Sequence, residues 1–294
     1  MANTFLTDKA AQTRVASVAM SVLARQLVLP ATVYRNAEAE FTGRTGDTVT
    51  IRKPASLEAN TYASRTSAIE VDSLTETGVA VSIDNHLYSA VAVTDEQMEF
   101  EVDDFASQVV APQLRAVGEG AENVLAAEFN GLTSDLECAY GATDILDIIV
   151  DARKMLSEAN VPNANRYLAV STDIEAALLK TELLQRVDAS GTDTALRQAT
   201  IARLFGFTIL VSNALSAGTA VAYSRDAFAF CLRAPRVPQG AAAGSSQSYQ
   251  GLALRWIMDY ESDYLQDRSI VSTLVGAKVL DENRCVKITT GTAS

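Results

Sequence analysis

Residues 103–131 read DDFASQVVAPQLRAVGEGAENVLAAEFNG. Val110, Leu114, Val117, Ala121, Val124, Leu125 and Phe129 recur at steps of three and four, which gathers them on one face of a long helix. Asp103 and Asp104 stand where that helix starts, and carboxylates are favoured at the positive end of the helix dipole. Asn130-Gly131 supplies a C-terminal stop. A helix over about 103–130 is roughly 40 Å long at ~1.5 Å per residue, longer than most helices of globular proteins. Pro112 removes one amide bond in its second or third turn and is expected to bend the helix without ending it. Leu114, Val117, Val124 and Leu125 are the residues expected to pack this spine under a sheet.

Immediately upstream, Thr94-Asp95-Glu96-Gln97 has the form of a capping box that starts a short helix. From Asp95 to Asp104 there are six acidic residues and no basic one. Further upstream, Gly46-Asp47 opens the period-two strand Thr48-Val49-Thr50-Ile51-Arg52, which stops at Pro54. A return strand is carried by Val79, Val81 and Ile83, and residues 87–93 are expected to continue the same sheet. Between the two lies SLEANTYASRTSAIEVDSLTETG, residues 56–78, where only Leu57, Tyr62, Ile69, Val71 and Leu74 are large and apolar. That is too few for a core of its own. The run reads as a two-stranded ribbon projecting from the body, marginal alone and open along both edges unless a neighbour covers it. The pattern by itself also fits a long surface loop.

The first 35 residues carry Lys9, Arg14, Arg25 and Arg35 against Asp8, a local balance of +3. Apolar spacing predicts a helix over about 7–29, ended by Pro30. Its basic face suits either simple solvation or contact with an acidic partner or nucleic acid. After Gly141 the pattern alternates: a helix over 143–159, a strand over 167–171, a helix from Thr172 to about Leu184, a polar loop near 188–194 and a buried strand over 206–211. Residues 237–254 carry no charge, and PQGAAAGSSQSYQG within them reads as loop by composition. Leu252, Leu254, Trp256 and Met258 then alternate as a strand, and residues 269–280 form a last long strand with Gly276 as a bulge.

The chain has 294 residues, 48% hydrophobic and 20% charged, so it can bury a substantial core. Its net charge of -12 argues against a dedicated nucleic-acid-binding surface. Cys138, Cys231 and Cys285 are widely spaced, which argues against a disulfide framework or zinc ribbon, and His86 alone cannot build a histidine metal cluster. No secretory leader is legible. The uncharged run 204–224 could cross a bilayer by length, but Ser212, Asn213, Ser216 and Gly218 break it into strand, turn and strand. No phosphate loop, nucleophile elbow, His-Glu-x-x-His or Cys-x-x-Cys occurs, and Gly118-Glu119-Gly120 lies within the predicted spine. The pairs Asp103/Asp104 and Asp259/Glu261/Asp263 could hold a divalent cation or act as acid and base; they equally suit a helix start and a solvated strand face. His86 reads as a structural, hydrogen-bonded residue of the sheet. No catalytic, cofactor or metal residue is assigned.

The order of basic arm, GDTVTIRKP (46–54), the 56–78 run, VSIDNHLYSAVAVTDEQ (81–97), DDFASQVVAPQLRAVGEGAENVLA (103–126), GFTILVSN (206–213) and a terminal sheet strand resembles a major capsid protein of tailed bacteriophages. The likeness runs from residue 1 to about 281 and implies the α+β Hong Kong 97 fold. Its implied parts are an N-terminal arm (1–45), an extended loop (about 56–78) and a peripheral domain with the spine helix within 46–140, an axial domain (141–250), and return strands to the peripheral domain with a C-terminal tail (251–294). The implied function is structural, without cofactors: copies of the chain form hexamers and pentamers of an icosahedral head. That head encloses double-stranded DNA without sequence-specific contacts. Assembly in the bacterial host cytoplasm, a portal and no membrane partner are implied as well. An encapsulin-like or other non-viral shell of the same fold is the alternative. The chain begins almost at the arm, so a separate scaffolding protein is expected. Some relatives crosslink through a lysine of the extended loop, but residues 56–78 contain no lysine, so a shell without that bond is expected. Arg65, Glu70, Asp72 and Glu76 are the candidate contacts between subunits.

Overall fold

The computed structural model describes residues 28–35, 48–53, 77–100, 105–138, 145–181, 203–249 and 252–291, with the single positions 59, 61, 71 and 73. In chain order the strands are β1 (Thr48–Lys53), β2 (Thr77–Ser82), β3 (Asn85–Thr94), β4 (Leu136–Cys138), β5 (Arg166–Val170), β6 (Arg203–Leu204), β7 (Phe207–Val211), β8 (Thr219–Ser224), β9 (Phe228–Arg233), β10 (Ala243–Tyr249), β11 (Leu252–Glu261), β12 (Gln266–Val279) and β13 (Cys285–Thr290). The α-helices are α1 (Asp95–Phe100), α2 (Ala111–Gly131), α3 (Ile145–Glu158) and α4 (Thr172–Lys180). Among the described residues no helix is long and apolar enough to cross a membrane.

The strands form a two-stranded ribbon β1-β2, a five-stranded sheet ordered β10-β11-β12-β3 with β9 also on β12, and a six-stranded sheet ordered β4-β13-β8-β5-β7-β6. The five-stranded sheet is antiparallel throughout. The six-stranded one is mixed, with β5 parallel to β7 and β13 parallel to β4. This is an α+β fold.

The spine lies against the five-stranded sheet. Leu114, Val117, Ala121, Leu125 and Phe129 are buried with Phe228, Trp256, Val271 and Val275, and Val124 is half-buried against them. Helical backbone begins at Phe105 and passes through a π turn, Ala106–Val110, before α2. Pro112 therefore sits in the first turn of α2, directly after the π turn. Gly120 lets the helix settle close, since a Cβ there would stand 3.3 Å from Leu87 Cδ1.

Strand β8 is buried along its whole length and joins two cores by its alternation. Val221 and Tyr223 face the spine core, while Ala220 and Ala222 face a second core under α3 and α4 with Ile149, Leu156, Leu168 and Phe207. The capping box is present: Gln97 N–H donates to Thr94 Oγ1 and Thr94 N–H to Gln97 Oε1, both at 3.3 Å.

Four readings of the sequence need correction. Residues 87–93 do not continue the β1-β2 sheet, because the chain turns after Ser82 and β3 pairs with β12 instead. The supposed loop AGSSQSY is β10, held by seven consecutive pairs to β11, so pairing overrides the weak strand preference of glycine and serine. Gly276 is no bulge: its register with Cys231 is regular, and a Cβ there would fall 2.2 Å from Ser82 O, so the glycine permits β2 to cross β12. Residues 269–280 are not the last strand, because β13 follows and lies between β4 and β8 in the six-stranded sheet.

Candidate assembly interface

The ribbon meets the body at one end. Along β1 the side chains alternate, with Thr48, Thr50 and Arg52 exposed and Val49, Ile51 and Lys53 half-buried. Val49, Ile51 and Ile83 rest on a small core of Val81, Ala229 and Cys231. Pairing ends at Lys53 opposite Thr77, which closes residues 54–76 into the excursion between the strands. Val71, within that excursion, is 85% exposed. Lys53 Nζ lies 2.8 Å from Asp281 Oδ1, and Arg284 Nε is 3.3 Å from the other oxygen of the same carboxylate. Beside this pair a cavity of about 280 Å³ separates Ile51 and Val79 from Tyr34 and Leu280. A few apolar side chains and one ion pair thus set the angle at which the ribbon leaves the body.

The arm leaves from a firmer anchor. Pro30 lies within a 3-10 turn, Leu29–Ala31, with Leu29 and Val33 fully buried. Thr32 Oγ1 donates to Leu29 O and lies 2.6 Å from the Tyr223 hydroxyl. Burial pushes the Tyr223 phenol far above the ordinary tyrosine range, so it stays a neutral hydrogen-bonding group. Tyr34 then bridges to β9, its N–H donating to Phe228 O and its carbonyl accepting from Phe230 N–H.

At the far end of the five-stranded sheet, the β11-β12 hairpin exposes Tyr260, Tyr264 and Leu265, and the Tyr260 hydroxyl donates to Asp95 Oδ2 at 3.1 Å. Glu261 accepts from Gln266 Nε2 at 2.9 Å and pairs with Arg268; these two bonds hold its carboxyl below the usual range. Asp267 is shifted the other way, by burial and then by the neighbouring Asp95 charge.

The candidate contacts Arg65, Glu70, Asp72 and Glu76, the pair Asp103/Asp104 and residues 7–27 of the arm helix expected over 7–29 lie outside the described residues, while Leu29 belongs to the 3-10 turn. Asp259, Glu261 and Asp263 share the hairpin end, but Glu261 is engaged by Arg268, and among the described residues no group of three or more acidic, histidine or cysteine side chains could hold a metal ion. His86 is exposed on β3 opposite Leu274. Sequence reasoning missed Lys53 with Asp281, whose separation along the chain hides the pair. It also missed Gln113, a buried polar residue on the apolar face of the spine. Gln113 Nε2 donates to Ser269 O at 2.8 Å and Ser89 O at 3.2 Å, and its Oε1 accepts from Ser269 Oγ at 2.7 Å. Ser269 Oγ also accepts from Trp256 Nε1 at 3.0 Å.

Comparison with known proteins places this geometry. The family model described as phage capsid protein matches residues 79–264. Among solved structures, that of Mycobacterium phage Che8 is similar at a TM-score of 0.66 and 22% identity, covering 87% of this chain and 89% of that one. The capsid of cyanophage P-SCSP1u aligns at 0.62 and 14% identity over 85% of each chain. A virus-like particle from Pyrococcus furiosus aligns at 0.52 and 11% identity, over 94% of this chain and 98% of that one. A search of curated proteins finds no match.

Proposed function

The chain belongs to the phage capsid protein family and is a structural major capsid protein of the virion, and from that premise we propose that its copies gather into hexamers and pentamers that close into an icosahedral head around double-stranded DNA. The observation that carries this reading is the ribbon: β1 and β2 pair with each other and with neither other sheet, so both outer edges are open among the described residues. An isolated two-stranded ribbon is marginal in water. Contact with the next copy removes that cost, and head-to-tail contacts of one chain make rings when the rotation closes.

In this reading residues 1–45 are the arm, 46–140 the extended loop and peripheral part, 141–250 the axial part and 251–294 the return strands to the peripheral part with a C-terminal tail; across these bounds β9 and β10 pair into the five-stranded sheet and β13 into the six-stranded one. Arg65, Glu70, Asp72 and Glu76 meet charges on the neighbour, and Leu114, Val117, Val124 and Leu125 keep the spine rigid under load. The net charge of -12 lets packaged DNA slide along the wall, since a basic lining would hold phosphates through counterion release. A separate scaffolding protein, a portal and assembly in the bacterial host cytoplasm complete the proposal, with no covalent crosslink through a loop lysine. Negative-stain imaging of the purified chain, alone and with a scaffolding protein, tests it: rings or closed shells are expected, and a monomer at every concentration under both conditions contradicts it.

A further inference from the structure

We propose that the outer edge of β10 is a strand-addition site that takes an extended strand from a second copy of this chain. The inference rests on the shell-forming reading above and names a contact by which copies meet. Among the described residues β10 pairs only with β11, through seven consecutive positions without a bulge. On such an edge every second residue turns its N–H and C=O away from the sheet, leaving donors and acceptors in a row. Edge strands exposed to solvent are ordinarily blunted by lysine, proline, a bulge or shortness. The sequence AGSSQSY has none of these, and it sits in residues 237–254, which carry no charge in a chain that is 20% charged.

Side chains on this edge are small. Ser245 and Ser246 put little bulk in the way of a strand approaching in the plane of the sheet to about 4.8 Å, while Val237 of the same copy covers the face at Gly244, so main-chain bonds would supply the affinity. Charge selects the occupant. At -12 each chain repels its copies, and an uncharged edge is where two of them can meet with least repulsion. The chain also carries the matching element, because the β1-β2 ribbon has open edges of its own and pairs with no other strand of the same copy among the described residues.

Hydrogen exchange read by mass spectrometry, on the purified chain before and after assembly, tests this directly. In particles made of this chain alone, about half of the β10 amides should slow at least tenfold relative to the unassembled chain. Unchanged exchange across β10 in those particles overturns the inference. So does protection that appears only when another protein is added, which would assign the edge to that protein. Ser246→Glu places a charge on the edge strand opposite Arg255, so it adds no like-charge pair within its own sheet; it should leave the melting temperature of the unassembled chain no lower and cut particle yield at least tenfold, and wild-type yield counts against the proposal. Particles with an unprotected β10 sink this inference alone, whereas a chain that enters no particle, by itself or beside a scaffolding protein, sinks the capsid reading and this inference with it.

Discussion

Replacing Gln113 by alanine removes the polar clamp that seats the spine on the sheet. The side chain is 2% exposed and makes three hydrogen bonds, to Ser89 O, Ser269 O and Ser269 Oγ. Each bond contributes about 1 kcal/mol net. The truncation also leaves a cavity of amide size and takes from the Ser269 hydroxyl its acceptor. Together these put the loss at about 2–4 kcal/mol, or roughly 4–16 °C in melting temperature for a chain of this size. The only tryptophan, Trp256, donates to the same serine oxygen, so denaturant unfolding followed by its fluorescence reports the site itself. Gln113→Ala and Ser269→Ala share bonds and should be non-additive by about 1–2 kcal/mol. If the double variant equals the sum of the singles within about 0.5 kcal/mol, or if Gln113→Ala costs almost nothing, the clamp is not what holds the helix.

Three further outcomes are expected. Leu125→Ala, at a fully buried spine position, should cost about 2–5 kcal/mol in the unassembled chain, measured by denaturant titration; a loss under about 1 kcal/mol would show that the site collapses freely. Deleting residues 58–75 and closing the gap with a short turn should leave a folded, soluble subunit that makes no shells, as read by circular dichroism and electron microscopy; unfolding, or normal particles, would contradict the ribbon assignment. Arg65→Glu should raise the protein concentration needed for assembly, because a pair worth about 0–1 kcal/mol is repeated throughout a shell; a light-scattering threshold unmoved at both low and high salt would count against it.

The parts legible in the sequence are those where one local rule acts alone. Thr94 and Gln97 form their box because both ends of that contact lie within one turn, and Leu114, Val117 and Leu125 face inward because helical spacing leaves no other common face. Elements decided by distant partners were not legible. AGSSQSY becomes a strand only because LALRWIM runs beside it. Gly276 looks like a bulge until Ser82 O is found against it. Strand β13 carries a legible alternation, Val286 and Ile288 about Lys287 among β-branched residues, but so short a run after a long strand has the same pattern as a tail. The Lys53–Asp281 pair joins residues too far apart in sequence for any pattern to connect.

In the proposed function this chain is the wall of a DNA-filled shell. That role is tested most directly by imaging particles recovered from cells producing the whole virus, with nuclease-resistant nucleic acid measured in the same preparation. Closed icosahedral particles built mainly of this chain, with double-stranded DNA inside, are the predicted result. Shells that enclose protein without DNA, or a chain found only as monomers and small oligomers, would contradict it.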